Sequence, residues 1–217
     1  MNQETQIKDK PFAMQRSVLH NLVLGLGKRT TLVAAVLVVV GLNIYWSLTL
    51  SAFGAQFETV ARTRLLDLAN VGSILSVEEA AALLDSYGAE ARSLYFQFFV
   101  LDNLMPPIVF GAIAVLWVAL LKNRRAPIAK WFLRSPLLLA PFGVGLFDVL
   151  ENLTFVSYLA GPQAGSMAML QAGLVFVRIK AAFLFTSFGL TAVVLVLAIV
   201  FAITERRRAA NPTVSMA

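Results

Sequence analysis

The sequence predicts an all-α integral membrane protein, a four-helix transmembrane bundle with both termini cytoplasmic and a short helical extracytoplasmic segment. Three observations carry this reading. The chain is 59% apolar and only 14% charged, where soluble domains average about 45–50% and about 25%. Its apolar residues fall in four runs, each longer than the ~20 residues that cross ~30 Å of hydrocarbon. Charges in the connections segregate by sign from one side to the other. No period-two alternation appears, which argues against a β-barrel.

Residues 1–30 precede the first run and form a cytoplasmic or interfacial lead-in. Within them, 11–27 (PFAMQRSVLHNLVLGLG) read either as a short interfacial helix or as a mobile stretch. The apolar run that follows begins late, is too long for a signal-peptide core and lacks a small-x-small cleavage site, so a cleavable signal is not expected. Residues 31–203 form the transmembrane domain, with spans at about 31–52, 93–121, 136–160 and 171–203. Residues 204–217 are a cytoplasmic tail.

Orientation follows from the charges. The lead-in, the 122–135 connection and the tail hold thirteen cations against Glu4, Asp9 and Glu205. The opposite side holds Arg62, Arg64 and Arg92 against six acids. The positive-inside rule puts the first group in the cytoplasm, of a cell's inner (plasma) membrane. The net charge of +6 is therefore a topology signal, and nucleic acid is not an expected partner.

Residues 53–92 form the one sizeable extracytoplasmic loop. Inside it, Ser76 followed by Glu79 is a capping box, and Gly88 is a natural helix stop. Val77, Ala80, Ala81, Leu84 and Tyr87 lie on one apolar face. That helix is either a lid over an outward-opening site or a packed connector. Trp46, Trp117 and Trp131 fit interfacial anchors.

Composition excludes several chemistries. There is no cysteine and only His20, which removes disulfides, thiolate chemistry and multi-His metal sites. No metal or cofactor is expected. GLGKRT at 25–30 resembles a phosphate-binding loop, but Leu22 stands where glycine is required. The acceptor-like Asn152-Leu-Thr154 lies inside a span, and Asn211-Pro-Thr213 is blocked by its proline.

The spans themselves are not purely apolar. Asn43, Asp102, Glu151 and Lys180 each lie about nine residues from the outer end of a different span, hence roughly 13 Å below one surface. Asp148, Glu151 and Asn152 share one helical face. Intramembrane acids cost ~2.5–3.5 kcal/mol or more each, so that face should point inward. Asp102 and Asn103 precede Pro106 and Pro107, which remove two backbone donors and free carbonyls beside a carboxylate. Lys180 and Arg178 supply positive charge. Being two residues apart they diverge, with Lys180 expected inward and Arg178 toward the outer interface. Burial and pairing act in opposite directions on such groups. The set Asp102, Asp148, Glu151 and Lys180 could perform acid–base catalysis, with Asn43, Asn103, Asn152 and Arg178 as ligand-binding residues. The same set could serve as a static interhelical clamp.

A family resemblance emerges from these residues. Gly88-AEA-Arg92-SL-Tyr95, Asp102-NLM-Pro106, Asp148-VLEN and Lys180 resemble the pattern of a group of bacterial four-span membrane proteins with a D-x-L-E-N motif in the third span and no assigned activity. The likeness covers about residues 60–200. It adds Arg92 and Tyr95 to the candidate ligand-binding residues. Arg178 departs from the pattern. In architecture alone the layout is similar to the EXPERA group of four-span sterol isomerases and sterol-binding proteins, which place intramembrane acids around a lipid-sized cavity. The expected function is binding an amphiphilic lipid-like or isoprenoid molecule, with acid–base transformation in view. The alternatives are an accessory subunit of a larger membrane complex and a proton-coupled carrier. The latter is disfavoured by the lack of an internal repeat. Expected partners are membrane lipids, a lipid-like ligand, and a membrane protein partner or a second copy of the chain.

Overall fold

The computed structural model describes residues 18–66, 75–160 and 167–210, with side chains as far as Arg206. Residues 1–17 of the expected 1–30 lead-in, the loop segment 67–74 and the tail end 211–217 lie outside the described residues, as does Asn211-Pro-Thr213. Every regular element among the described residues is helical. Residues 18–29 are helical (α1). Then come α2 (Leu32–Ala61), α3 (Val77–Asp85), α4 (Ala89–Leu121), α5 (Pro127–Arg134), a 3-10 turn (Pro136–Leu139), α6 (Ala140–Ala160) and α7 (Met167–Ala210). Among the described residues four stretches are long and apolar enough to cross a membrane: Leu32–Ala61, Ala89–Leu121, Pro136–Ala160 and Met167–Arg206.

Three of these exceed the lengths read from hydropathy. α2 continues nine residues past Ala52, because FGAQFETVA holds no breaker. It stops where Arg62 takes φ 55°, the left-handed conformation that ends many helices. α4 starts at Ala89 rather than 93, since EARS is helix-compatible and polar residues are invisible to hydropathy. Gly88 does not terminate α3. That role falls to Ser86, whose N–H reaches the carbonyls of Ala82 and Leu83. Gly88 instead caps α4, its carbonyl accepting from Arg92 N–H at 2.9 Å, a position glycine tolerates well.

The chain divides into two compact units. The first draws on residues within Met1–Val39, Gly111–Ala140 and Ser187–Ala217. Here α1 is docked on α4: Val23 is buried, and a Cβ on Gly27 would come within 2.3 Å of the Val118 Cβ. The Lys122 ammonium donates to the carbonyls of Gly27, Lys28 and Thr30 at 3.1, 2.9 and 2.5 Å. A cation placed on the orphan carbonyls of a helix C-terminus is doubly favourable. At the other end, His20 Nε2–H donates to Leu133 O at 2.9 Å. Trp117 differs from its expected role as an interfacial anchor. It is fully buried, because Thr191 Oγ1 accepts its indole N–H at 3.0 Å and Phe132 packs edge-on against it. A satisfied indole can leave the interface altogether. Trp131, in contrast, is exposed.

The second unit draws on Val40–Phe110 and Pro141–Thr186. Its core combines Phe57, Leu65, Leu66, Leu84, Tyr87, Tyr95, Phe98 and Phe155. The predicted apolar face of α3 is the one that packs: Ala80, Ala81, Leu84 and Tyr87 are all buried in this core. The capping box is complete, with Ser76 N–H donating to Glu79 Oε2 at 2.8 Å and Glu79 N–H donating to Ser76 Oγ at 3.2 Å. The Ser76 backbone N–H first, and its side-chain hydroxyl second, hold the Glu79 carboxyl below its ordinary range. Tyr158 O–H donates to Asp85 Oδ1 at 3.1 Å, and Tyr87 O–H to Arg64 O at 2.9 Å, so α3 is tied down at its C-terminal end.

Candidate functional site in the second unit

The site is built on α6. Residues three and four apart share a helical face, and Asp148, Glu151 and Asn152 are all buried while Leu146 and Leu153 are exposed. Glu151 retains only 1% exposure, which a carboxylate tolerates only when partnered. Its partner is Lys180 of α7. The ammonium lies 2.8 Å from Asp148 Oδ1 and 2.6 Å from Glu151 Oε2. The first contact is a hydrogen bond; the second is an ion pair by proximity, not aligned as a hydrogen bond. One cation thus bridges two carboxylates a single helical turn apart.

α4 contributes the third acid. Asp102 is buried and accepts from Asn152 Nδ2 at 2.7 Å. Pro106 and Pro107 lie inside α4. Having no N–H, they cannot donate to the carbonyls four residues back, those of Asp102 and Asn103. Asn103 turns toward its own helix, donating to Phe99 O at 2.6 Å.

Glycines set the register that brings these groups together. A Cβ on Gly145 would stand 2.8 Å from Pro107 Cα, so only glycine allows α6 this close to the proline turn of α4. Gly145 is three residues before Asp148 and seven before Asn152, on the same face. On the other side, Gly173 of α7 meets Thr154 and Phe155, and Gly143 of α6 meets Phe183. These contacts bracket Lys180 along an antiparallel α6–α7 pair. Small residues permitting backbone approach are the usual device for packing helices in lipid. None of these glycines was among the sequence-derived site residues. The signal available was Gly143-Val-Gly145 near the start of a span, five to three residues before the acid.

The other candidates fall elsewhere. Arg178 is exposed on α7, as expected for a residue two positions from the inward Lys180. Asn43 is exposed on α2. Tyr95 is buried in the aromatic group, with ring centroids 6.5 Å from Phe57 and 5.9 Å from Tyr87. Arg92 donates from Nε to Tyr87 O at 2.9 Å and from Nη1 to Leu159 O at 3.4 Å. It therefore serves the C-terminal end of α6 as a helix-dipole cation. Among the described residues, no group of three or more His, Cys, Asp or Glu is arranged to hold a metal ion.

The described residues, all-helical in their regular elements and with four apolar helices long enough to span, fit a multi-pass membrane protein. Comparison with protein-family models, with curated proteins and with solved structures finds no match.

Proposed function

We propose that the Asp102, Asp148, Glu151, Asn152 and Lys180 cluster binds the polar end of an amphiphilic, lipid-like or isoprenoid molecule. One observation carries the reading. Two buried carboxyls, Asp148 and Glu151, share the Lys180 ammonium, so this trio holds one more acid than base. Buried charge in low dielectric must be balanced. A proton on one carboxyl removes the difference, whereas a carboxylate that stays ionised only accepts and favours a head group rich in hydrogen-bond donors. Asp148 Oδ2 supports this, being buried with no hydrogen-bond partner among the described residues. Acid–base transformation follows the same logic, one carboxyl donating a proton and its neighbour accepting another.

We further infer a bacterial plasma-membrane location with both termini cytoplasmic, and kinship with the four-span D-x-L-E-N proteins. The second reading, an interhelical clamp in a subunit of a larger complex, has its own support. Lys180 reaches both α6 acids, and the glycine contacts press the helices together around it.

The test purifies the full chain from membranes in mild detergent and measures bound lipids by mass spectrometry, alongside thermal stability. The binding reading expects one enriched amphiphile in the wild type, reduced at least tenfold in Glu151→Gln with a retained fold. Equal occupancy in wild type and variant overturns it. No enriched species, with stability lost in the variant, establishes the clamp instead.

A further inference from the structure

We propose that the first unit carries an anionic-phospholipid site, in a groove of about 680 Å³ between the α4–α5 connection and the last turns of α7. The site is separate from the intramembrane cluster and does not depend on its role.

The groove has a graded wall. Val200 and Phe201 of α7 form its apolar part, and Thr204 lies one turn further on. These residues recur at helical spacing, so one face of α7 supplies that side. From Val200 to the end of the span at Arg206 the rise is roughly 9 Å, about the depth of the acyl–headgroup boundary. Opposite stand Asn123, Arg125 and Pro127. The volume falls within the ~300–1,000 Å³ of small-molecule sites, enough for a head group and the upper acyl chain.

Charge selects the head group. Residues 122–135 hold five cations and no acid. Two of the five are committed elsewhere. Lys122 sits on the α1 carbonyls, and Arg124 pairs with Glu205. That pairing neutralises the one acid lining the groove. Arg125 is exposed at the rim and forms no ion pair with a described residue. A guanidinium matches a phosphate diester with two parallel hydrogen bonds, and Asn123 adds a polar group beside it. Lys130 and Arg206 are exposed nearby in sequence and reinforce the sign. On α5, Ile128 and Trp131 are 45% and 56% exposed, apolar groups suited to the same lipid boundary. An acidic protein segment would satisfy Arg125 but would leave Val200 and Phe201 facing a polar chain. A phospholipid satisfies both.

The test is native mass spectrometry of the full chain in detergent with equal amounts of phosphatidylglycerol and phosphatidylcholine. The expected result is preferential phosphatidylglycerol binding. Arg125→Gln should lower it about fivefold, the effect of one cation at a lipid surface, while Arg29→Gln, on α1, should leave it unchanged. Val200→Trp, which fills the groove with Arg125 intact, should weaken both lipids. An equal loss in Arg29→Gln would mean diffuse charge attraction and overturn the site. So would undiminished binding in both groove variants, or displacement by glycerol 3-phosphate at the concentration of the lipid itself.

Discussion

Lys180 is the cation that Asp148 and Glu151 share, and its removal alone should cost more than the removal of all three charges together. With Lys180→Met, Asp148 and Glu151 remain buried on one helical face without their shared cation. Breaking one side of a buried pair typically costs about 3–5 kcal/mol, whereas replacing all its members by neutral groups of similar size is often nearly neutral. The expected order of thermal stability in detergent is therefore wild type close to the triple variant Asp148→Asn/Glu151→Gln/Lys180→Met, with Lys180→Met alone far below both. A single variant as stable as the triple would mean that the ammonium balances no charge. At the same scale, Glu79 gives a pH dependence. Its carboxyl is depressed by the hydrogen bonds of the capping box, so its contribution is complete above the unfolded value and lost as pH falls through the folded one. Hydrogen-exchange protection of the first turn of α3, corrected for intrinsic rates, should weaken below the ordinary carboxylate range. Glu79→Gln should abolish that step.

Elements meet where side chains are absent. Gly145→Ala places a methyl 2.8 Å from a backbone atom of Pro107, and backbone cannot swing aside as a flexible side chain can. α6 must then retreat from α4, stretching the 2.7 Å bond from Asn152 to Asp102. Overpacking of this kind costs about 1–3 kcal/mol. Gly41→Ala is the matched comparison. Nothing lies within 4 Å of its added Cβ, and alanine is the better helix former, so its melting temperature should hold or rise. If both variants melt alike, close approach at Gly145 is not what seats α6. The contrast also marks what could be read from the sequence. The inward face of α6 was legible because Asp148, Glu151 and Asn152 follow the helical period and lipid forbids them outside. The capping box was legible because Ser76 and Glu79 are local. Gly145 against Pro107 was not, since helical period places a residue on a face without naming the neighbour. Nor was the Lys122 cage, which reaches back 92 to 95 residues to close α1. Trp117 was misplaced for the same reason: Thr191, its acceptor, is 74 residues away.

Across the whole molecule, burial is unevenly shared among the spans. Half of the apolar window of Ala89–Leu121 is buried within the chain, but only 6% of the window of Leu32–Ala61. Val33, Leu37, Ile44 and Leu48 along α2 are all more than half exposed. Such a helix is at ease only in hydrocarbon or against a partner. In the proposed topology, four crossings put residues 18–29 and the end of α7 on one side and α3 on the other. Charge is the proposed guide to the side, because the α3 flank is acidic and the α4–α5 connection is wholly basic. The chain has no cysteine, so single reporters need no prior substitution. Glu78 and Lys130 are both exposed and lie on opposite sides in this topology. In intact cells a membrane-impermeant maleimide should label Glu78→Cys and spare Lys130→Cys until the membrane is opened. The reverse pattern would invert the protein. Labelling of both before lysis would deny that the second crossing, and with it the depth of Asp102, lies in the membrane.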